Sequence, residues 1–367
     1  MTSSLFQPIT LGGLTFPNRI AVAPMCQYSA EDGSASDWHL YHWMNLAMSG
    51  AGMVTVEMTD VERRGRISHG CLGLYSDDNE AAAKRTLDAA RRVAAPGTKF
   101  GVQLAHAGRK ASNRKPWDGG GPLQPGEDPW QTVSASAIAY DTGWNVPHAL
   151  EEDEILELIA RFAQSAIRAE RAGFDFAELH AAHGYLIFQF LSPLSNQRTD
   201  RWGGSLENRM RFALEIARAV RKAAPTMMLG ARLSVTEWVE GGFDVEDAIE
   251  VAKALKAEGI AYLCCSSGGN SPLQQVPPGP GYQVHLAEAV RKGAGIPTRA
   301  VGLIDDPSQA EAIVADGRAD MVALARAFLA DPRWGWRAAA TFGEEIHPAP
   351  QLARSVTTMR HWMKAAG

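Results

Sequence analysis

The sequence predicts a closed (β/α)8 barrel. Three observations carry this. Eight short apolar runs recur along the 367 residues. Longer amphipathic helical patterns separate them. The polar residues able to do chemistry fall at the carboxyl ends of the runs, where barrel enzymes keep their active sites. One large barrel accounts for the length, so residues 1–367 are read as a single domain.

The candidate strands are RIAVAPM (19–25), GMVTVEM (52–58), KFGVQLAH (99–106), FDFAELH (174–180), MMLGARLSV (227–235), IAYLCCSS (260–267), IPTRAVG (296–302) and ADMVALAR (319–326). Each is largely apolar and rich in Val, Ile, Leu, Phe or Ala, as parallel strands buried on both faces are. The clearest helix is EEDEILELIARFAQSAIRAERAG (151–173). Ile155, Leu158, Ile159, Phe162 and Ala166 form its apolar stripe, acidic residues crowd its first turn, and Gly173 ends it. In 205–224, Ser205 is the expected N-cap, with Asn208 at the third position. Stretches 245–259 and 307–317 both run into a glycine. The competing topology is a doubly wound open sheet, but no GxGxxG follows the first strand, which weakens its dinucleotide-binding form. Segments 107–150 and 186–204 exceed simple connections. They follow strands three and four and are expected to be long loops on the catalytic face.

The chain is 46% hydrophobic and 21% charged, with a formal net charge of -5. Nothing in that balance favours nucleic acid or an anionic membrane as partner. No apolar run is long enough to span a bilayer. The start, MTSSLFQPITLGG, lacks a basic segment followed by an apolar one, so no secretion signal is expected and the location expected is cytoplasmic. Cys26, Cys71, Cys264 and Cys265 form no CxxC pair and no zinc spacing, consistent with reduced thiols. Adjacent Cys264 and Cys265 should face opposite sides of a strand.

Strand one ends in PMCQYS, with Cys26 and Tyr28. Strand three ends in VQLAHAGRK, with Gln103, His106, Arg109 and Lys110. Strand four ends in ELHAAHGY, strand five carries Arg232, strand six ends in SSGG, and Gly302, Ala325 and Arg326 follow strands seven and eight. Backbone N–H groups at those last two positions are a frequent phosphate cradle in barrels, and Arg326 could add a bidentate contact. The alternative is a turn glycine and a surface arginine. Arg232 in a buried strand needs a partner. Either Glu178 on the neighbouring strand supplies an internal ion pair, or the cation faces an anionic ligand. Gln103 could offer its amide to a heterocycle. His180 and His183 admit three readings: metal ligands with Glu178, satisfied core histidines, or a clamp donating two N–H groups to one substrate oxygen, with Tyr185 as proton donor.

PMCQYS, QLAHAGR, HAAHGYL, QRTDRWGGSLENRMRF, AVGLI and ALARAFLADPRW together resemble the old yellow enzyme family of flavin-dependent ene-reductases. Within it, the Cys of PMCQYS resembles the thermophilic-like branch that includes the xenobiotic reductases. The resemblance covers essentially the whole chain. It implies noncovalent FMN at the barrel mouth. Ala23, Pro24, Met25, Cys26 and Met58 would adjoin the isoalloxazine, Gln103 its pyrimidine edge, and Arg232 its N1 and C2 oxygen. Gly302, Ala325 and Arg326 would hold the phosphate.

His180 and His183 would then hold the substrate oxygen, with Tyr185 the proton donor. Cys26 would tune the flavin potential, and Tyr28 would help bind substrate. NADPH or NADH would reduce the flavin. An activated alkene (an enone, maleimide or nitroalkene) would then take hydride from N5 at its β-carbon and a proton from Tyr185 at its α-carbon. Three positions depart from the family pattern: Met58 replaces a usual alanine, Ala325 a common glycine, and Val301 a tryptophan found in some xenobiotic reductases. The resemblance also implies a homodimer, or a tetramer built of dimers. In it Arg354 or Trp362, in a tail of about residues 345–367, would enter the neighbouring site. Rival readings are a metal-dependent barrel lyase, a flavin-binding protein without turnover, and related flavoproteins acting on dienoyl thioesters or N-methyl groups.

Overall fold

A computed structural model describes residues 3–365, and its barrel is the one expected. The strands are β1 (Ile20–Val22), β2 (Met53–Asp60), β3 (Lys99–Ala105), β4 (Phe176–Ala181), β5 (Met228–Ser234), β6 (Leu263–Ser266), β7 (Thr298–Val301) and β8 (Met321–Leu324). All are parallel and each pairs with its neighbours in sequence. Ala323 of β8 lies beside Ala21 of β1, which closes the sheet. The helices of nine residues or more are α1 (Asp37–Ala47), α2 (Asp77–Val93), α3 (Glu152–Ala172), α4 (Leu206–Ala223), α5 (Val245–Ala257), α6 (Val284–Ala294), α7 (Pro307–Ala315), α8 (Trp334–Phe342) and α9 (Ala353–Ala365).

The helix ends follow the local chemistry. Glu151 and Glu154 form a capping box at the start of α3, and Gly173 ends it at φ 98°. Ser205 Oγ accepts from the Asn208 N–H at 3.3 Å and starts α4. One expectation needs correction. Segment 186–204 does not begin as loop: Leu186–Leu191 is a short helix whose six side chains are all buried. Phe190 packs on Phe212 with ring centroids 4.3 Å apart, so these apolar residues belong to the core. The antiparallel hairpin Ile9–Leu11 and Leu14–Phe16 was not anticipated either. It puts Leu11 and Phe16 against Phe176, Met228 and Tyr262 in the barrel interior.

The two largest apolar clusters form layers on either side of the sheet. Cys265 lies in the layer between sheet and helices, while Cys264 lies inside the barrel, as their opposite orientation requires. The interior also holds a charge pair. Arg299 of β7 bonds to Glu178 of β4, and both are fully buried. Tyr262 OH donates to Glu178 Oε2 at 2.7 Å, and Gln103 Nε2 donates to Glu178 Oε1 at 2.9 Å. Glu178 therefore partners Arg299, not Arg232. The register explains it: Gly230 stands opposite Glu178, while Arg232 stands opposite His180, one layer nearer the barrel mouth.

Candidate active site

HAAHGYL brings three rings together at the end of β4. His180 and His183 have ring centroids 5.0 Å apart, and His180 and Tyr185 have theirs 4.9 Å apart, all edge to face. The Ala182 N–H donates to His180 Nδ1 at 3.3 Å, so that nitrogen accepts and Nε2 carries the proton. His183 takes the left-handed conformation at φ 58°. Three contacts hold it there. Its N–H donates to Ser234 Oγ at 2.9 Å, its carbonyl accepts from Lys110 Nζ at 2.9 Å, and its Nε2 lies 2.7 Å from Ser266 Oγ. A Cβ on Gly269 would come within 2.5 Å of His183 Cα, and one on Gly184 within 2.4 Å of Asn270 Cα. The two loops therefore need glycine at both places.

Charge and burial set the protonation states. Burial, then the Arg232 cation, then Lys110 hold His180 well below the usual imidazole range. His183 is lowered by burial, Arg232, His180 and Lys110. Both are neutral near pH 7, and each carries a single ring N–H, on Nε2 in His180. Burial pushes the Tyr185 phenol up, so it stays protonated. Burial also raises the Cys26 thiol and the Tyr28 phenol. Cys26, Tyr28, Met58 and Tyr185 meet in one apolar cluster with Ile67 and Cys71. Glu57 secures the adjoining turn, accepting from the Gln27 N–H at 2.7 Å while His39 Nε2 stands 3.0 Å from its other oxygen.

Lys110 joins the loops. Its ammonium also donates to Gly269 O at 2.7 Å and stands 5.1 Å from the Tyr185 ring centroid. Burial, then Arg109, pushes it down to about 7 from the ordinary 10.5. Between those values the unfolded chain binds the extra proton, so stability from this group rises with pH through that window. Lys110→Met is expected to flatten the rise in denaturation midpoint between about pH 6.5 and about pH 10. Parallel pH curves for the two proteins would contradict a desolvated lysine.

A cleft of about 620 Å³ opens beside this group, lined by His183, Arg232, Val301, Gly302, Ala325 and Arg326 among others. That is the size of a cofactor site. Arg232 is 8% exposed, and its buried Nε has no partner. Its guanidinium reaches only Ser266 Oγ, at 3.4 Å, and among the described residues it makes no salt bridge. A buried cation with no counter-ion at the cleft floor suits a ligand that carries or develops negative charge.

Not every expected residue lines the cleft. Ala23 is in the barrel interior, Pro24 and Met25 are half-buried at the rim, and Gln103 lies by Glu178. Arg354 is exposed on α9 and is not among the residues lining the cleft, and the side chain of Trp362 lies outside the described residues. Glu178 is committed to Arg299, Tyr262 and Gln103, so it is not a third ligand beside the two histidines. Among the described residues no group of three His, Cys, Asp or Glu could hold a metal ion. The residues not anticipated are Arg299, Glu57 and His39. Arg299 was the most legible, as a charge inside a buried strand.

A barrel with a cofactor-sized cleft at its carboxyl face, lined by an unpaired cation, suits an enzyme that holds an anionic cofactor. The sequence matches the NADH:flavin oxidoreductase / NADH oxidase family over residues 4–345. The chain is 42% identical to an NADPH dehydrogenase of Listeria innocua over 355 residues, covering 96% of this chain and 99% of that one. It is 42% identical to an NADPH dehydrogenase of Halalkalibacterium halodurans over 357 residues, covering 97% and 99%. Morphinone reductase matches in structure with a TM-score of 0.77 at 29% identity, covering 96% of this chain and 93% of that one. A 2-naphthoyl-CoA reductase matches with a TM-score of 0.82 at 27% identity, but the chain spans only 53% of its length. The chain belongs to the NADH:flavin oxidoreductase / NADH oxidase family, that of the old yellow enzymes. It is an oxidoreductase that uses FMN and a nicotinamide reductant.

Proposed function

We propose that the protein is an ene-reductase of the thermophilic-like, xenobiotic-reductase branch. It reduces the carbon–carbon double bond of enones, maleimides or nitroalkenes with NADPH or NADH. The observation that carries this reading is the neutral His180, His183 and Tyr185 group beside a cleft floored by unpaired Arg232. FMN, when bound, would supply the hydride-transfer chemistry between the nicotinamide and the alkene.

The chain's own groups do the rest. Arg232 would balance negative charge on the cofactor. Ala23, Pro24, Met25, Cys26, Met58 and Gln103 would hold its ring system, and Gly302, Ala325 and Arg326 its phosphate. His180 gives its Nε2 proton as a hydrogen bond to the substrate oxygen, and His183 gives the second. The two donors bind most strongly as that oxygen gains charge, which lowers the barrier rather than merely tightening binding. Tyr185 delivers a proton to the α-carbon, Tyr28 packs on the substrate, and Cys26, held as a thiol, tunes the cofactor. Residues 1–367 act as one domain in the cytoplasm. The chain assembles as a homodimer, or a tetramer of dimers, with Arg354 or Trp362 reaching the neighbouring site.

An anaerobic absorbance titration tests the reading. NADPH should bleach the yellow protein, and cyclohexenone should restore the colour. Bleaching without recovery would remove the ene-reductase activity and leave a flavoprotein with another acceptor.

A further inference from the structure

We infer that Glu178 is a positioning residue. It fixes which end of the Gln103 amide faces the cofactor, and it turns the acceptor end that way. This rests on the reading that Gln103 adjoins the pyrimidine edge of FMN.

An amide has a donor end and an acceptor end of nearly equal shape, so a neighbour must decide its orientation. Gln103 stands opposite Glu178 in the β3–β4 ladder, with its amide 2.9 Å from Glu178 Oε1. An ionised carboxylate only accepts, so Nε2 must be the end that meets it. The carboxylate itself cannot turn. Its other oxygen accepts from Tyr262 OH at 2.7 Å and from Arg299. Arg299 is pinned in turn, reaching Thr55 Oγ1 at 3.3 Å and Met53 Sδ at 2.9 Å. Glu178 and Arg299 are 0% exposed and Gln103 2%, so no water competes for these contacts. Among the described residues Gln103 Oε1 has no hydrogen-bond partner. Where Gln103 adjoins the cofactor, its free Oε1 is then the end it offers, an acceptor.

The pyrimidine edge of oxidised flavin carries one N–H, at N3, between two carbonyl groups. An acceptor selects that N–H, whereas a donor would oppose it. A neutral amide at 178 inverts the pattern. In Glu178→Gln, Arg299 and Tyr262 still demand an oxygen on their side. The new NH2 then faces Gln103, and Gln103 must turn over and offer its own NH2 to the cofactor.

The test is binding of FMN and of N3-methyl-FMN to the deflavinated full-length protein, followed by quenching of flavin fluorescence. The wild type is expected to prefer FMN about tenfold or more, the scale of one lost hydrogen bond. Glu178→Gln is expected to bring that ratio to within about twofold of one, with circular dichroism unchanged. Because Arg299 then lacks its counter-charge, a neutral pair, Glu178→Met with Arg299→Met, gives a second route. It removes the orienting group, and the preference should fall there too. A well-folded variant of either kind that keeps the wild-type ratio overturns the inference. So does a wild type that binds the two flavins equally. Gln103→Leu separates the two ideas: if it keeps the wild-type ratio, Gln103 does not adjoin the pyrimidine edge, and the underlying reading fails.

Discussion

Tyr185→Phe is expected to slow alkene reduction by about 10²–10⁴-fold while leaving reduction by the nicotinamide within a few-fold. The variant keeps the ring and removes only the acidic proton. The ring's place is set by other contacts: Tyr185 precedes the short helix Leu186–Leu191, its carbonyl accepts from the Gln189 N–H at 2.8 Å, and Lys110 stands over its face. Burial keeps the phenol protonated, so the proton is present at every ordinary assay pH. Anaerobic stopped-flow absorbance separates the two half-reactions. If reoxidation by an enone runs at the wild-type rate in the variant, the proton comes from elsewhere.

His180→Ala should cost about 10²–10³-fold in enone turnover, the usual loss when one donor to a developing oxyanion is removed. Its Nε2–H is fixed by the Ala182 N–H on the opposite nitrogen, so it is a preorganised donor. Nicotinamide oxidation does not build charge on a substrate oxygen, and that half-reaction should suffer far less. A comparable loss in both halves would mean that the pocket had collapsed rather than lost a donor. Because burial and Arg232 keep this imidazole neutral, its contribution should persist as pH falls through the usual histidine range.

The barrel was legible because its strands are buried on both faces. A run such as MVTVEM or LGARLS then shows through without help from its surroundings. The helices with strong ends, α3 and α4, were equally plain, since capping residues are local. The helix Leu186–Leu191 was not legible. Six buried residues have no polar face to show a period, and it follows a motif that reads as loop. The site was legible as a set of residue types at strand ends, but not as pairings. Whether Glu178 meets Arg232 or Arg299 depends on the stagger between strands, which no single stretch of sequence encodes. Glu57 and His39 went unseen for the same reason. Each acts through a partner distant in the chain.

The interlock of His183 with Gly184 and Gly269 bears on how such a protein can change its tastes. A side chain at either glycine would strike the other loop's backbone, so the two loops pack directly on each other around the histidines. The long segment 107–150 is anchored by Trp130 Nε1 on the Arg64 carbonyl, by Arg198 on the carbonyls of Ala135 and Leu150, and by buried Val133 and Ala135, and it lies exposed at 116–119 and 124–129. Variation, natural or by design, has room in that outer segment and almost none in the clamp. New substrate shapes should therefore be sought by exchanging the exposed stretches 116–119 and 124–129, with both glycines, the Arg109–Lys110 anchor and buried Val133 and Ala135 left in place.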